Sequence, residues 1–438
     1  MDEGNHIVAD FISNTKYQKL PSEVQYQAKR CFLDILGATI AGTTTPVGHL
    51  IDSYAVDQHN GNESTILMTN HKASIVGATL ANAFAANALD VDDGYRLIKG
   101  HPGANIFPAA LAIAEKQGKR GEELLEALVI GYEVAIRAGL ILHDTYSSYH
   151  GSGSWGALGA AAAATKLLSL GRDEIHYALG IAEYHAPIAP MMRCIDSPSM
   201  VKDGIGWGSM VGVSAALMAQ KGFTGIDSLL VNPEHKNLIV GLGHRFEILN
   251  LYFKPYPCCR WAQPAVDGVL AIVHQHHIKP HEIKRIKVHT FRAATRMTIV
   301  KPRNTEEAQY SIAYPVGATI IDGEFGLKQI LGDRFEDENI LELADKVEII
   351  FSDKLDNEFP ERCLCEVEIF TDVNQRFRSG IMTAKGDPDI PLSDKEFERK
   401  FRHLAGSVLN AKKVQNLIEI VWHLEELKDV RYFTKGLH

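Results

Sequence analysis

Three stretches in the first half of the chain are built mostly from small apolar residues: 81–88, 109–114 and 160–164. Alanine is the strongest helix former, and a helix faced with alanine lets a neighbouring helix approach unusually closely. Apolar residues recur at helical spacing around them, as Leu124, Leu125, Leu128, Val129, Tyr132 and Ile136 do on one face of 121–142. Helices are also predicted over 73–90, 108–116, 156–170, 173–182 and 204–222. An earlier one opens at Pro21-Ser22-Glu23-Val24-Gln25, with Ser22 as cap, Gln25 completing a capping box and Gly42 as a left-handed stop. No convincing alternation of apolar and polar residues occurs before about residue 245. The first half therefore reads as an all-helical bundle.

The pattern changes after Pro264. The segments 283–290, 346–351, 363–370 and 376–382 are β-branched and nearly alternate, as half-buried strands do. Helical stretches at 262–276, 308–322 and 340–345 separate them. Gly386-Asp387-Pro388-Asp389-Ile390-Pro391 reads as a linker, and helices follow at 393–404 and 414–427. A chain of 438 residues favours more than one domain. The expected fold is mostly α: a large all-α helical domain begun by residues 1–262, a smaller α+β domain at 263–392, and C-terminal helices at 393–438 packing back on the first.

The formal net charge of −9, without a basic run, argues against nucleic acid or an anionic membrane as partner. An acidic small molecule stays admissible, because a few local cations outweigh a modest global charge. The six cysteines form no Cys-x-x-Cys pair, and no histidine spacing completes a zinc site. Phosphate-loop spacing is also absent. The stretch 1–10 lacks a signal-peptide core, and the longest small-apolar run, 155–164, is too short to span a bilayer. The expected location is cytoplasmic.

Five motifs stand out against this background. Asp90, Asp92 and Asp93 precede Gly94 and a Gly100-His101-Pro102-Gly103 turn, and Tyr95, Arg96 and Lys99 lie between. Charges crowded between apolar helices line a cavity or pair with each other, and they also serve as caps and turns. His150-Gly-Ser-Gly-Ser-Trp155 leads into an alanine-rich helix, whose start is a natural anion site or simply a capped end. Lys202-Asp203-Gly204 puts a cation at a helix start, where the dipole disfavours it, as if a carboxylate were bound there. Arg260 closes Lys254-Pro-Tyr-Pro-Cys-Cys and is suited to bidentate carboxylate binding. Gln309-Tyr310-Ser311 leads to Tyr314, a proton donor or a core tyrosine.

Together and in this order, the motifs resemble the MmgE/PrpD family, whose members include 2-methylcitrate dehydratase, cis-aconitate decarboxylase and iminodisuccinate epimerase. The resemblance runs along nearly the whole chain. It implies an all-α domain made from both chain ends, an α+β lid domain, a homodimer, and no metal or organic cofactor. It implies Asp90, His101, His150, Lys202 and Tyr314 as catalytic residues. Three features depart from the family pattern: Gly94 where threonine is usual, a slightly longer segment between Asp93 and His101, and Gln263 where many relatives have histidine.

The shared chemistry makes or breaks a bond beside a carboxylate while charge builds on carbon. Such a site must hold carboxylates, move a proton and stabilise an enolate-like state. Lys202 and Arg260, with Gly94 beside them, suit substrate binding; His101 and His150 suit the proton; Asp90 suits orienting a histidine or shuttling a proton. The expected function is a cofactor-free lyase on a small di- or tricarboxylate, dehydrating a citrate-like acid or decarboxylating an aconitate-like one. The alternatives are an epimerase and a non-catalytic polycarboxylate-binding protein.

Overall fold

The computed structural model describes residues 3–437, so Met1, Asp2 and His438 of the predicted segments lie outside the described residues. Helix Ser152–Leu167 sits in the middle of the helical layer and packs against Pro102–Gln117, Gly121–Thr145, Arg172–His185 and Ile205–Gln220. The small residues make this crossing possible. A Cβ built on Gly212 would lie 2.4 Å from the Ala157 carbonyl oxygen, so the two backbones touch where any side chain would part them.

Helix Ser22–Gly42 begins as expected but with different ends. Pro21 stands at its N-cap, and the Gln25 amide donates instead to the carbonyls of Tyr17 and Leu20. Gly42 stays helical. It is required by proximity, since a Cβ there would meet the Ala85 carbonyl oxygen at 1.8 Å. One short hairpin interrupts the helical half: β1 (Ser64–Ile66) pairs antiparallel with β2 (His71–Ala73). Three-residue strands are too short to show alternation.

The remaining strands form one sheet in the order β4-β3-β5-β6, with β3 Ile283–Thr290, β4 Val347–Phe351, β5 Leu364–Thr371 and β6 Arg376–Thr383. β3 pairs parallel with β4, and the other two pairings are antiparallel. Ile283, Ile286, Val288 and Thr290 of β3 are buried, as half-buried alternation requires. Helix Gln263–His276 covers β5 and β6. The fold is thus mostly α with a smaller α+β part.

Two large apolar clusters organise the chain. One joins residues from Val8 to Phe253 with residues from Leu392 to Leu437; the other holds mainly residues 258–369. Helix Asp394–Ala405 lies against Ser22–Gly42, with Phe401 filling the space left by Gly37. Leu89 and Val91 belong to the second cluster although their neighbours belong to the first, so the Asp90 segment crosses from one to the other. No helix among the described residues is long and apolar enough to cross a membrane.

Candidate active site

Helix Ile75–Asn87 ends in a tight turn that presents Asp90. The Asp90 amide donates to the Asn87 carbonyl, and its φ of +50° lies in the left-handed region that aspartate tolerates better than most residues. Two side chains satisfy the carbonyls of this turn. Lys202 Nζ donates to Asn87 O and to Gln309 Oε1 at 2.7 Å, and Gln309 Nε2 donates to Ala88 O at 2.8 Å. Lys202 therefore serves the C-terminal end of a neighbouring helix, where the dipole favours a cation, and not the start of the helix that follows it in sequence.

The three aspartates divide their work. Asp90 Oδ1 accepts from Lys254 Nζ at 2.9 Å, and both groups are buried. Burial pushes the Asp90 carboxyl up, but Lys254, then Lys202 and His101, outweigh it and hold the group below its ordinary value. Asp92 turns inward and accepts from Asn87 Nδ2 at 3.1 Å. Asp93 holds the start of helix Pro102–Gln117, accepting from the Gly103 amide and the Tyr132 hydroxyl. Burial, then the charges of Asp34 and Asp92, push Asp93 up to about 8. Lys400 braces the segment from behind, donating to Asp34 and to the Val91 carbonyl.

His101 immediately precedes Pro102, which opens the helix without wasting an amide. Its Nδ1 lies 2.7 Å from the Asp93 carbonyl oxygen. A carbonyl only accepts, so Nδ1 carries a proton and Nε2 is the atom free to gain or lose one. Nε2 lies 3.4 Å from Asp90 Oδ1.

Asp90, Asp92 and His101 offer ligand atoms within 4.8 Å of one another, a grouping a divalent ion could use. Lys254 Nζ, 2.9 Å from Asp90 and 4.0 Å from Asp92, already fills that role with its own charge. A metal would have to displace a buried ammonium, so the residues present fit a metal poorly.

Asp90 and His101 open onto a narrow cavity of about 30 Å³, room for one or two waters. Asp203 and Tyr310 contribute another wall: Asp203 accepts from the Ser152 hydroxyl at 2.9 Å and the Tyr310 hydroxyl at 3.1 Å. Ser152 Oγ in turn accepts from the His101 amide. The starts of helices Pro102–Gln117, Ser152–Leu167 and Ile205–Gln220 thus meet beside the cavity, each with a positive dipole end. Arg260 lines it as well, paired with buried Asp387 and with its guanidinium 4.7 Å from the centre of the Tyr252 ring. Arg96, Lys99, Tyr149, Trp261 and Phe359 are also at its wall. Burial drives the thiol of Cys259, also at the wall, well above its ordinary pKa, so it is no ready nucleophile.

Both halves of the chain match known family models. The MmgE/PrpD N-terminal domain matches residues 6–242, and the MmgE/PrpD C-terminal domain matches residues 256–426. The chain belongs to the MmgE/PrpD family. Its relatives include the cis-aconitate decarboxylase of Homo sapiens, 28% identical over 97% of this chain and 92% of the relative. That of Mus musculus is 26% identical over 98% and 92%, and that of Aspergillus terreus 22% over 97% and 93%. The cavity draws on both MmgE/PrpD regions: Asp90, His101, Tyr149 and Asp203 come from the first, Arg260 and Tyr310 from the second.

Of the residues singled out from the sequence, Asp90, His101 and Arg260 share this MmgE/PrpD cavity. Lys202 stands behind its wall, 5.9 Å from the centre of the Tyr310 ring. The structure does not bring His150 there. Its Nδ1 lies 2.8 Å from its own Ser148 carbonyl, its ring neighbours His143 and Tyr146, and the adjacent Tyr149 faces the cavity instead. Tyr314 is also elsewhere. It is buried with its hydroxyl donating to the Gln329 carbonyl at 2.6 Å, and Tyr310 takes the cavity position. Gly94 offers no binding group; its lack of a side chain makes room for the Tyr252 ring. Gln263 braces the Lys254–Arg260 loop by donating to the carbonyls of Tyr256 and Cys258. Lys254, Asp203 and Tyr310 lie inside the motifs already marked, and Tyr149 immediately precedes one. Lys99 lies in the first of those motifs, and Tyr252 carried no signal beyond its neighbourhood.

Proposed function

We propose that the protein is a lyase acting on a small di- or tricarboxylate, and that decarboxylation of a cis-aconitate-like acid is its reaction. The observation that carries this reading is His101 Nε2, 3.4 Å from an ionised Asp90, at the wall of a cavity also lined by Arg96, Lys99 and Arg260. The names of the relatives support the same choice.

In such a reaction the bond from a methylene carbon to its carboxylate breaks and carbon dioxide leaves. The electron pair forms a new double bond. The pair of the old double bond moves to the carbon next to a retained carboxylate, and that carbon takes a proton. His101 Nε2, when protonated, is the donor, with Nδ1 held by the Asp93 carbonyl so that the ring cannot swing away. Asp90, as a carboxylate, accepts a hydrogen bond from the protonated ring and stabilises its charge, and the proton delivered to carbon is replaced from water. The cations and the helix starts offset the enolate-like charge before protonation. Lys254 keeps Asp90 ionised, and Lys202 and Gln309 hold its turn in place.

The test is an NMR screen of cis-aconitate, citrate, 2-methylcitrate and iminodisuccinate in deuterated water. The expected result is consumption of cis-aconitate with loss of one carboxyl carbon and a single deuterium in the product. Turnover of none of the four, or only elimination or epimerisation, would overturn the proposal.

A further inference from the structure

Three side chains with a fixed positive charge line the cavity: Arg96, Lys99 and Arg260. Two already have carboxylates. Arg260 pairs with Asp387, and Arg96 Nη1 lies 2.9 Å from Asp389 Oδ2. One short linker therefore answers both guanidiniums. Lys99 forms no ion pair among the described residues; its ammonium rests 5.0 Å from the centre of the Tyr149 ring.

The backbone holds Lys99 in this position at a cost. Its φ of +50° lies in the left-handed region, which is strained for a long side chain. The turn is closed by the Lys99 amide on Arg96 O and the Tyr95 amide on Gly100 O. The Tyr149 hydroxyl donates to the Lys99 carbonyl, so one tyrosine grips the backbone and offers its ring face to the ammonium. His101 follows two residues later on the same braced segment. A freely solvated lysine would need neither the left-handed backbone nor the aromatic platform. Burial without a partner lowers its pKa, the sign of a cation short of a counter-charge.

We infer that Lys99 binds the retained substrate carboxylate on the central carbon, next to the carbon that His101 protonates, and so selects acids carrying a further carboxylate at that fixed distance. The inference rests on the polycarboxylate reading above and names the residue that measures the number of carboxylates. It makes Lys99 a specificity residue. The single-residue spacing of the turn sets the distance, so the longer segment between Asp93 and His101 is where this chain's selectivity resides.

The experiment uses two inert ligands, tricarballylate and glutarate, which share a five-carbon diacid chain and differ by the carboxylate on its central carbon. Calorimetric Kd values are measured for the wild type, Lys99→Met and Lys99→Arg, with melting temperatures to confirm folding. Lys99→Met should weaken tricarballylate by about tenfold or more, the low end for a hydrogen bond to a charged group, and leave glutarate little changed. Lys99→Arg should restore most of the loss. On the true substrate, Lys99→Met should raise KM more than it lowers kcat. An unchanged tricarballylate Kd, or equal losses for both ligands, overturns the inference. Turnover in the NMR screen with an unmoved Kd sinks this inference alone. A Lys99-dependent Kd without turnover sinks the lyase reading alone, and no binding of either ligand by the wild type overturns both.

Discussion

Replacing Gly94 with alanine should disturb the cavity through one contact. The added Cβ would lie 2.2 Å from Tyr252 Cζ and 2.3 Å from its hydroxyl oxygen. The ring must retreat by about 1 Å or more to reach ordinary van der Waals contact. It cannot do so by sliding its own backbone, because Gly94 N donates to Tyr252 O at 3.0 Å and Tyr252 N to Gly94 O at 2.8 Å. Gly94 has no positive φ, so the substitution carries no backbone penalty and the cost is steric. Overpacking together with the lost Arg260–Tyr252 contact should cost about 2–4 kcal/mol. A double-mutant cycle with Tyr252→Ala, read by urea unfolding, isolates the contact. Gly94→Ala should be costly with Tyr252 present and nearly free without it. Equal cost in both backgrounds, within about 0.5 kcal/mol, would refute the reasoning.

Three further predictions follow from the site. His101→Gln should lower kcat by about 10² to 10⁴ with little change in melting temperature; a fall of less than tenfold on the true substrate would remove His101 from the proton step. Asp93 is raised to about 8 in the folded protein against about 4 unfolded, so it binds an extra proton in the native state between those values. Its contribution is therefore full at low pH and lost as pH rises from about 4 to 8. The stability of the wild type relative to Asp93→Asn should decline over that window, and a pH-independent difference in unfolding free energy would contradict it. Because Lys254 occupies the charge position beside Asp90 and Asp92, turnover should survive exhaustive chelation; loss with EDTA and recovery with a divalent ion would show the ammonium to be displaceable.

Much of this was legible in the sequence, for identifiable reasons. Small residues at helical spacing announced the helical half, and alternation announced β3 to β6. The errors came from local signals with two meanings. Pro108 resembles a helix start, yet it lies inside helix Pro102–Gln117, whose real start is the earlier proline. The stretch 308–322 resembles one helix, which would put Tyr310 and Tyr314 on one face. The chain breaks it into Thr305–Gln309 and Ala313–Asp322, and the two tyrosines part company. Motif reading found segments that reach the cavity, and in three of them a neighbour of the chosen side chain stands at its wall: Tyr149 beside His150, Asp203 beside Lys202, Tyr310 before Tyr314. Which neighbour faces inward depends on backbone rotation, and Lys202 itself has a φ of +41° that no periodic pattern encodes.

The pairing of helix Asp394–Ala405 with Ser22–Gly42 has a consequence for synthesis. The second helix leaves the ribosome early, and the partner that covers Gly37 and supplies Lys400 to Asp34 follows about 350 residues later. At about 5–20 residues per second, that is roughly 20 to 70 s of waiting. Throughout that interval one apolar face is uncovered and the carboxylate of Asp34 has no ammonium. A nascent chain of this protein thus keeps that face open for most of its translation. A frameshift or premature stop as late as residue 390 would release a polypeptide with every side chain that lines the cavity but without Phe401 and Lys400.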